Sequence, residues 1–431
     1  MARVAFRCSV ALACVLLAAC SAKKNADDKA DPAPVEELTA TPSKVESDAA
    51  AEPEKRPQRQ QWYRVVLDAE GGPMPFMFRA PLPRRERNTV VIANAEERIE
   101  LEMSCAEDDC TVDFPVFASQ LRIRFSSNKA FDGHWLRSRY MESTPVPLWA
   151  LAADGPGGEY RYEAGDPPAV DVTGSWSFDI EGVGPGKGEF VQDEAGLVTG
   201  WIIPQNIGDL RYLDGRVDGH TLALSTFDGQ HAYNLELELD DSGKRMEGMW
   251  HNQVEWHYPM TGRRGEGPSL EALHTLRIKD GGKTVTLPEL DALRGKAVIV
   301  DLYGTWCPAC IDLMPVLVSL YERHRAEGLE ILSIALEPGD DEALATQQVE
   351  LFKKRYGITW PSAIRLDDEI KAGLPPELEN VQGFPVTLFV DRKGEVHAMH
   401  SGFVSAAAGE EHQRLVKRFE DWTDAILASS P

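Results

Sequence analysis

From Trp62 to about Ala153, apolar and polar residues alternate in short runs broken by Pro, Gly and Asn, as in WYRVVLDAE, NTVVIANAEERIELEMS and QLRIRFSS. A period of two marks half-buried strands. A Pro/Gly-rich joint, DGPGGEYRYEAGDPP, leads into a second run of the same kind, from Val172 to about Arg263. In NLELELDDSGK, Leu235, Leu237 and Leu239 point one way and Glu236 and Glu238 the other, so one face is buried and one is wet. FDGHWLR and MEGMWHN both close their segments with acid-Gly-x-Trp, which suggests either a loose internal duplication or two halves of one β-barrel.

After GRRGEGPS the period changes. KAVIVDLY and LEILSIAL are continuous apolar runs of the kind that form strands buried on both faces, while residues 308–325, 342–356 and 411–427 read as helices and VTLFVDRKGEVHAMH as a hairpin. Strands alternating with helices imply a sheet covered on both faces. The expected fold is therefore multidomain, with an N-terminal all-β region (sandwich or barrel) at residues 61–153 and 170–264 and a C-terminal α/β domain at 267–428.

The first sixty residues follow neither pattern. Arg3 and Arg7 precede an apolar run over residues 8–19 that ends in small residues, as export signals do. That run falls short of the roughly 18 apolar residues a membrane-spanning helix requires. LAAC, ending at Cys20, resembles the bacterial lipobox, which implies cleavage after residue 19 and lipid on Cys20; Ser21 then favours the outer membrane. Residues 20–60 have no aromatic side chain before Trp62 and few large aliphatics, so they read as a disordered stalk spanning roughly 35 Å.

Over all 431 residues the formal charge is −24 and the pI near 4.9, which argues against a nucleic-acid partner. Seven cysteines remain to be sorted: Cys8, Cys14 and Cys20 lie in the leader, and the other four fall in two close pairs. Outside the cytoplasm either pair can be a structural disulfide or a reactive one.

The chemistry concentrates in YGTWCPAC. Cys307 stands where a strand gives way to a helix, beside unpaired backbone N–H groups and the positive end of the helix dipole. Cysteines in such settings can have pKa values of about 3.5–7.5. Cys310, one turn later, suits a resolving thiol. This stretch resembles the active site of the thioredoxin superfamily, in particular the TlpA and ResA type of thiol-disulfide oxidoreductase, over about residues 267–427. Trp306 before the first cysteine, Asp301 six residues upstream, Pro315 in the helix and Pro385 before the hairpin all fit. The resemblance implies a thioredoxin-like fold, a cis peptide at Pro385 lying against Cys307, and Asp301 with a raised pKa as proton acceptor for Cys310. It also implies an anchored enzyme facing the periplasm that reduces disulfides of exported proteins, is recharged by a membrane thiol donor and needs no cofactor. The family more often has asparagine where Asp301 stands.

Two other functions compete. A peroxiredoxin-like peroxidase requires Pro-x-x-x-Thr/Ser-x-x-Cys, and Val300 and Gly304 occupy those positions. A cell-envelope binding lipoprotein would use the β-region to capture a partner and leave the cysteines idle. Cys105 and Cys110 flank AEDD between two strands and read as a structural staple, with electron exchange with Cys307 and Cys310 as the alternative. Asp228, His231, His251 and His257 read as ordinary packing and rim residues of a β-domain, and no metal site is assigned.

Overall fold

A computed structural model describes residues 58–430 apart from 138–143, 157, 164, 253–254 and 367–369. The leader, Cys20 and all but the last few residues of the expected stalk lie outside the described residues.

The first run builds β1 (Arg59–Ala69), β2 (Gly72–Leu82), β3 (Arg87–Asn94), β4 (Glu97–Ala106), β5 (Asp109–Phe114), β6 (Ser119–Ser127), β7 (Ala130–Leu136) and β8 (Val146–Ala153). These form an up-and-down meander that closes on itself through antiparallel pairing of β1 with β8, Trp62 opposite Ala153. A single helical turn, α1 (Gly158–Arg161), follows. The second run repeats the plan with β9 (Gly174–Ile180), β10 (Gly184–Gln192), β11 (Leu197–Pro204), β12 (Leu210–Asp218), β13 (Thr221–Phe227), β14 (Ala232–Leu239), β15 (Arg245–Asn252) and β16 (Trp256–Arg264), closed by β9 against β16. The chain thus holds two complete barrels, and the acid-Gly-x-Trp motifs fall on the seventh strand of each, with Trp135 and Trp250 buried.

The barrels are locked together. Phe227, at the end of β13, reaches the core of the first barrel and packs on Phe76, Phe114 and Trp135, with ring centroids 4.4, 6.0 and 5.2 Å away. Arg161, fully buried, donates to the carbonyls of Pro75, Ala93 and Ser225 and faces Asp214 at 3.3 Å. A buried guanidinium is tolerable because its donors find acceptors on both barrels.

The C-terminal part runs α2 (Leu270–Leu273), β17 (Arg277–Ile278), β18 (Ala297–Tyr303), α3 (Pro308–His324), β19 (Leu329–Glu337), α4 (Glu342–Tyr356), β20 (Ser362–Leu366), β21 (Leu378–Glu379), β22 (Val386–Val390), β23 (Val396–Ser401) and α5 (Glu410–Ala428). The main sheet has the order β20-β19-β18-β22-β23, with β18, β19 and β20 mutually parallel, β22 antiparallel to β18, and β23 antiparallel to β22. Every residue of β18 is buried, as its unbroken apolar run requires. This is the thioredoxin-like α/β domain. Among the described residues, no helix is long and apolar enough to cross a membrane.

Candidate active site

β18 delivers the chain to residues 304–306, and α3 begins immediately after Cys307. Cys307 is the N-cap of α3: its Sγ accepts from the Cys310 N–H at 3.2 Å, and Pro308 occupies the first helical position, where a missing N–H costs nothing. Cys307 and Cys310 are joined as a disulfide. Cys307 keeps 5% of its surface exposed and Cys310 none, so an incoming sulfur can reach only the first. Cys307 also lies at the positive end of a helix with no acidic residue in its first turn, which favours its thiolate once reduced.

The loop before it is pinned to the end of β19. Thr305 donates to Glu337 through both its N–H (2.8 Å) and its hydroxyl (2.9 Å), and Trp306 Nε1–H donates to the Leu336 carbonyl at 2.9 Å. Gly304 lets the indole fold back over the loop, since a Cβ there would sit 2.2 Å from Trp306 Nε1. The Trp306 ring in turn meets Phe384 edge to face at 5.7 Å, and the Phe384–Pro385 peptide is cis. Thr305 and Glu337 escape a sequence reading centred on the cysteines, although an acid ending the apolar run LEILSIALE is a signal that something pairs with it there.

Asp301 is fully buried on β18. One carboxylate oxygen accepts from Ser333 Oγ at 3.3 Å, and the other has no hydrogen-bond partner among the described residues. Burial pushes its pKa up to about 7, with the Ser333 hydroxyl a weaker opposing influence. Trp360 Nε1–H, donating to Ser333 Oγ at 2.8 Å, fixes that hydroxyl in place.

Cys307 opens into a cleft of 590 Å³ whose far wall is the second barrel. In an up-and-down barrel the β11–β12, β13–β14 and β15–β16 connections emerge at one end, and residues from this mouth line the cleft. Asp228 and His231 are among them, at the rim of the barrel facing Cys307. Asp228 accepts from the backbone N–H groups of Gln230 (2.8 Å) and His231 (2.6 Å). Burial works to raise its pKa, but His231 and Arg211 outweigh that and hold it low. Arg211, on β12, binds Asp312 of α3 and lies 3.7 Å from Asp228 and 4.0 Å from Glu97 of the first barrel.

The other candidates lie apart from this cleft. Cys105 and Cys110 face each other across the β4–β5 hairpin and are disulfide-bonded. His251 and His257 pair across β15 and β16 with their Nδ1 atoms 2.8 Å apart. Among the described residues no group of three or more His, Cys, Asp or Glu side chains is placed to hold a metal.

Comparison with known proteins fits this geometry. Residues 268–399 match the AhpC/TSA family. Thiol-disulfide oxidoreductase ResA of Geobacillus kaustophilus is 32% identical over 129 residues, covering 30% of this chain and 67% of that protein. ResA of Bacillus subtilis is 26% identical over 129 residues, 30% of this chain and 66% of that protein. Of solved structures, a thioredoxin-family thiol:disulfide interchange protein of Chlorobium tepidum is 22% identical, covering 32% of this chain and 85% of its own at a TM-score of 0.25. The family match covers residues 268–399, the chain covers about two thirds of the length of these ResA proteins, and on that extent of similarity it belongs to the ResA-type thiol-disulfide oxidoreductases.

Proposed function

We propose that the protein is a lipid-anchored enzyme of the cell envelope, held by Cys20 and facing the periplasm, that reduces disulfides of exported proteins. The observation that carries this reading is the asymmetry of the cysteine pair: Cys307 caps a helix at the floor of a cleft, and Cys310 is wholly enclosed beside it. In the reduced enzyme the Cys307 thiolate attacks one sulfur of the substrate disulfide, forming a mixed disulfide and expelling the other sulfur as a thiolate. Cys310 gives up its proton and attacks Cys307 Sγ, which closes the enzyme disulfide and releases the second substrate thiol. Asp301 accepts that proton, and a pKa near 7 suits a group that must take up a proton and later return it. Trp306 and Phe384, the residue before Pro385, line the cleft around Cys307. A membrane thiol donor then restores the dithiol.

The match to the AhpC/TSA family leaves a peroxidase to be weighed. Such an enzyme needs a hydroxyl three residues before the cysteine, and Gly304 stands there with its open face filled by the Trp306 ring. The exchange reading is preferred for that reason.

The deciding experiment is the reduction potential of Cys307 and Cys310 in the chain with Cys105 and Cys110 changed to Ala, equilibrated against defined thiol buffers. A value near or below about −200 mV supports a reductase, and one near about −120 mV makes the protein an oxidant. A Cys310→Ser variant should in addition accumulate mixed disulfides through Cys307 with exported proteins.

A further inference from the structure

The second barrel does more than stand beside the active site. Residues 205–209, joining β11 to β12, lie directly against the Cys307–Cys310 turn and the loop that carries Pro385. Gly208 passes so close to Ala309, one of the two residues between the cysteines, that a Cβ on it would sit 2.5 Å from the Ala309 Cβ. Asn206, buried with φ 54°, accepts at its carbonyl from Ser401 Oγ (3.2 Å) and donates through Nδ2 to Thr275 Oγ1 (2.8 Å) and the Asn380 carbonyl (3.0 Å). Asp209 accepts from the N–H and hydroxyl of Ser405 at 2.8 and 2.7 Å. Five hydrogen bonds to four residues of the thioredoxin-like domain thus hold this connection against the catalytic turn, a fixed wall rather than a passing contact.

With that side closed, the approach to Cys307 Sγ is the remaining cleft, walled by Ile207, Tyr233, Trp256 and Tyr258 from the second barrel and by Trp306 and Phe384 from the other side. Part of its polar floor is engaged within the protein: Arg211 answers Asp228 and Glu97, and Asp228 is capped by backbone N–H groups, while His231, Asn252 and Lys371 add further polar groups to the lining. The walls offered to a substrate beside Cys307 are nonetheless mainly aromatic and aliphatic. Trp256 keeps 43% of its surface exposed at the rim, which leaves much of its ring uncovered among the described residues. The volume, 590 Å³, falls within the about 300–1,000 Å³ of pockets that enclose compact ligands. A broad, folded surface cannot bring a sulfur to a cysteine that is only 5% exposed between two walls.

We propose that the mouth of the second barrel is the specificity wall of this enzyme, and that it selects disulfides carried on a short, extended peptide segment with an aromatic or large aliphatic side chain beside the cysteine. The inference rests on the reading of Cys307 as the attacking thiol, and it names the substrate class of that site.

The test uses the reduced full chain and three disulfide probes: a hexapeptide mixed disulfide with Trp or Leu flanking its cysteine, the same peptide with Gly and Ser flanking, and oxidised glutathione. The wild type should prefer the first peptide over the second by about tenfold or more in kcat/KM. In a Trp256→Ala, Tyr258→Ala double variant that preference should collapse to within about twofold, while the Cys307–Cys310 potential stays where it was. Equal rates on all three probes, or a preference that survives the double substitution, overturn the proposal. Binding of a Ser-for-Cys analogue of the first peptide to the oxidised chain, followed by tryptophan fluorescence, separates the two levels of inference. Saturable binding that the double variant loses supports the wall even if no probe is reduced, in which case the exchange reading fails alone. Absence of binding in the wild type counts against the wall.

Discussion

Arg211 of the second barrel binds Asp312 of α3, two residues beyond Cys310, and the same guanidinium faces Asp228 and Glu97. One cation thereby answers carboxylates from both barrels and from the helix that carries the cysteines. Its side chain is 12% exposed, so solvent does little to screen the group. Replacing it by Met leaves three carboxylates facing one another and should cost about 3–5 kcal/mol at neutral pH. The sign with pH follows from linkage: burial already holds Asp312 at about 7 and Glu97 above its ordinary value despite Arg211, and removing the cation raises them further, so the variant's folded state binds more protons than the wild type as the pH falls. The gap between wild type and Arg211→Met should therefore be widest near pH 7.5 and narrow toward pH 5 in urea unfolding. A gap of equal size at both pH values would show that lost packing, not charge, is responsible.

Asp301 makes a pH prediction of its own. Its folded pKa of about 7 lies above the ordinary carboxylate value. The stability this gives is complete below the unfolded pKa near 4 and is lost as the pH rises through 7, at up to about 1.4 kcal/mol per pH unit. Asp301→Asn removes the titration, so the variant should gain on the wild type steadily from pH 4 to 7 and hold a constant lead above that. Loss of the proton acceptor should at the same time slow resolution of the mixed disulfide by about 10²-fold. Stopped-flow turnover beside chemical denaturation reads both effects, and a variant that neither gains stability at pH 8 nor slows resolution would remove Asp301 from the mechanism.

Thr305 and Glu337 hold the loop before Cys307. Thr305→Val keeps the shape of the side chain but removes a hydroxyl donor to a buried carboxylate, which should cost about 1–3 kcal/mol. Thermal unfolding checks the magnitude. Because the same loop seats Trp306, the variant's tryptophan emission should also shift in the native state. An unchanged spectrum together with a full loss of stability would mean that the indole is placed by Leu336 and Phe384 alone.

Much of this fold is written locally. The helix α4 is framed by Asp341, whose side chain accepts from the Leu344 N–H, and by Gly357 in the left-handed region, and both signals can be read from the chain alone. The cysteine pair, Asp301 and the hairpin after Pro385 are equally legible, since each depends on neighbours within a few positions. Closure of the barrels is not, because it depends on the pairing of β1 with β8 and of β9 with β16, strands separated by most of a domain. The cleft is the extreme case. Arg211, Asp228, Trp256 and Tyr258 lie some 50–100 residues before Cys307 and carry no pattern that joins them to it. They meet it only because a barrel places alternate loops at one end, and because Asn206 and Asp209 bind that end to the catalytic domain.

Cys105 and Cys110 decide between a staple and an electron relay. Their disulfide closes a loop of a few residues at the β4–β5 turn, so in the chain-entropy account it should stabilise the protein by about 2 kcal/mol. A staple fixed across a hairpin has no reason to open during turnover, and Cys110 is nearly buried in the first barrel, away from the cleft over Cys307. The double Cys105→Ala, Cys110→Ala variant should lose that stability in oxidising buffer, consume one equivalent of a dithiol per chain instead of two under strong reductant, and reduce substrate disulfides at the wild-type rate. A relay predicts a different pattern: turnover driven by an external dithiol would slow severalfold, and rapid quenching with a thiol-blocking reagent would find Cys105 labelled in the wild type during the first turnover. Labelling confined to Cys307 and Cys310 leaves the hairpin disulfide a purely mechanical element of the first barrel.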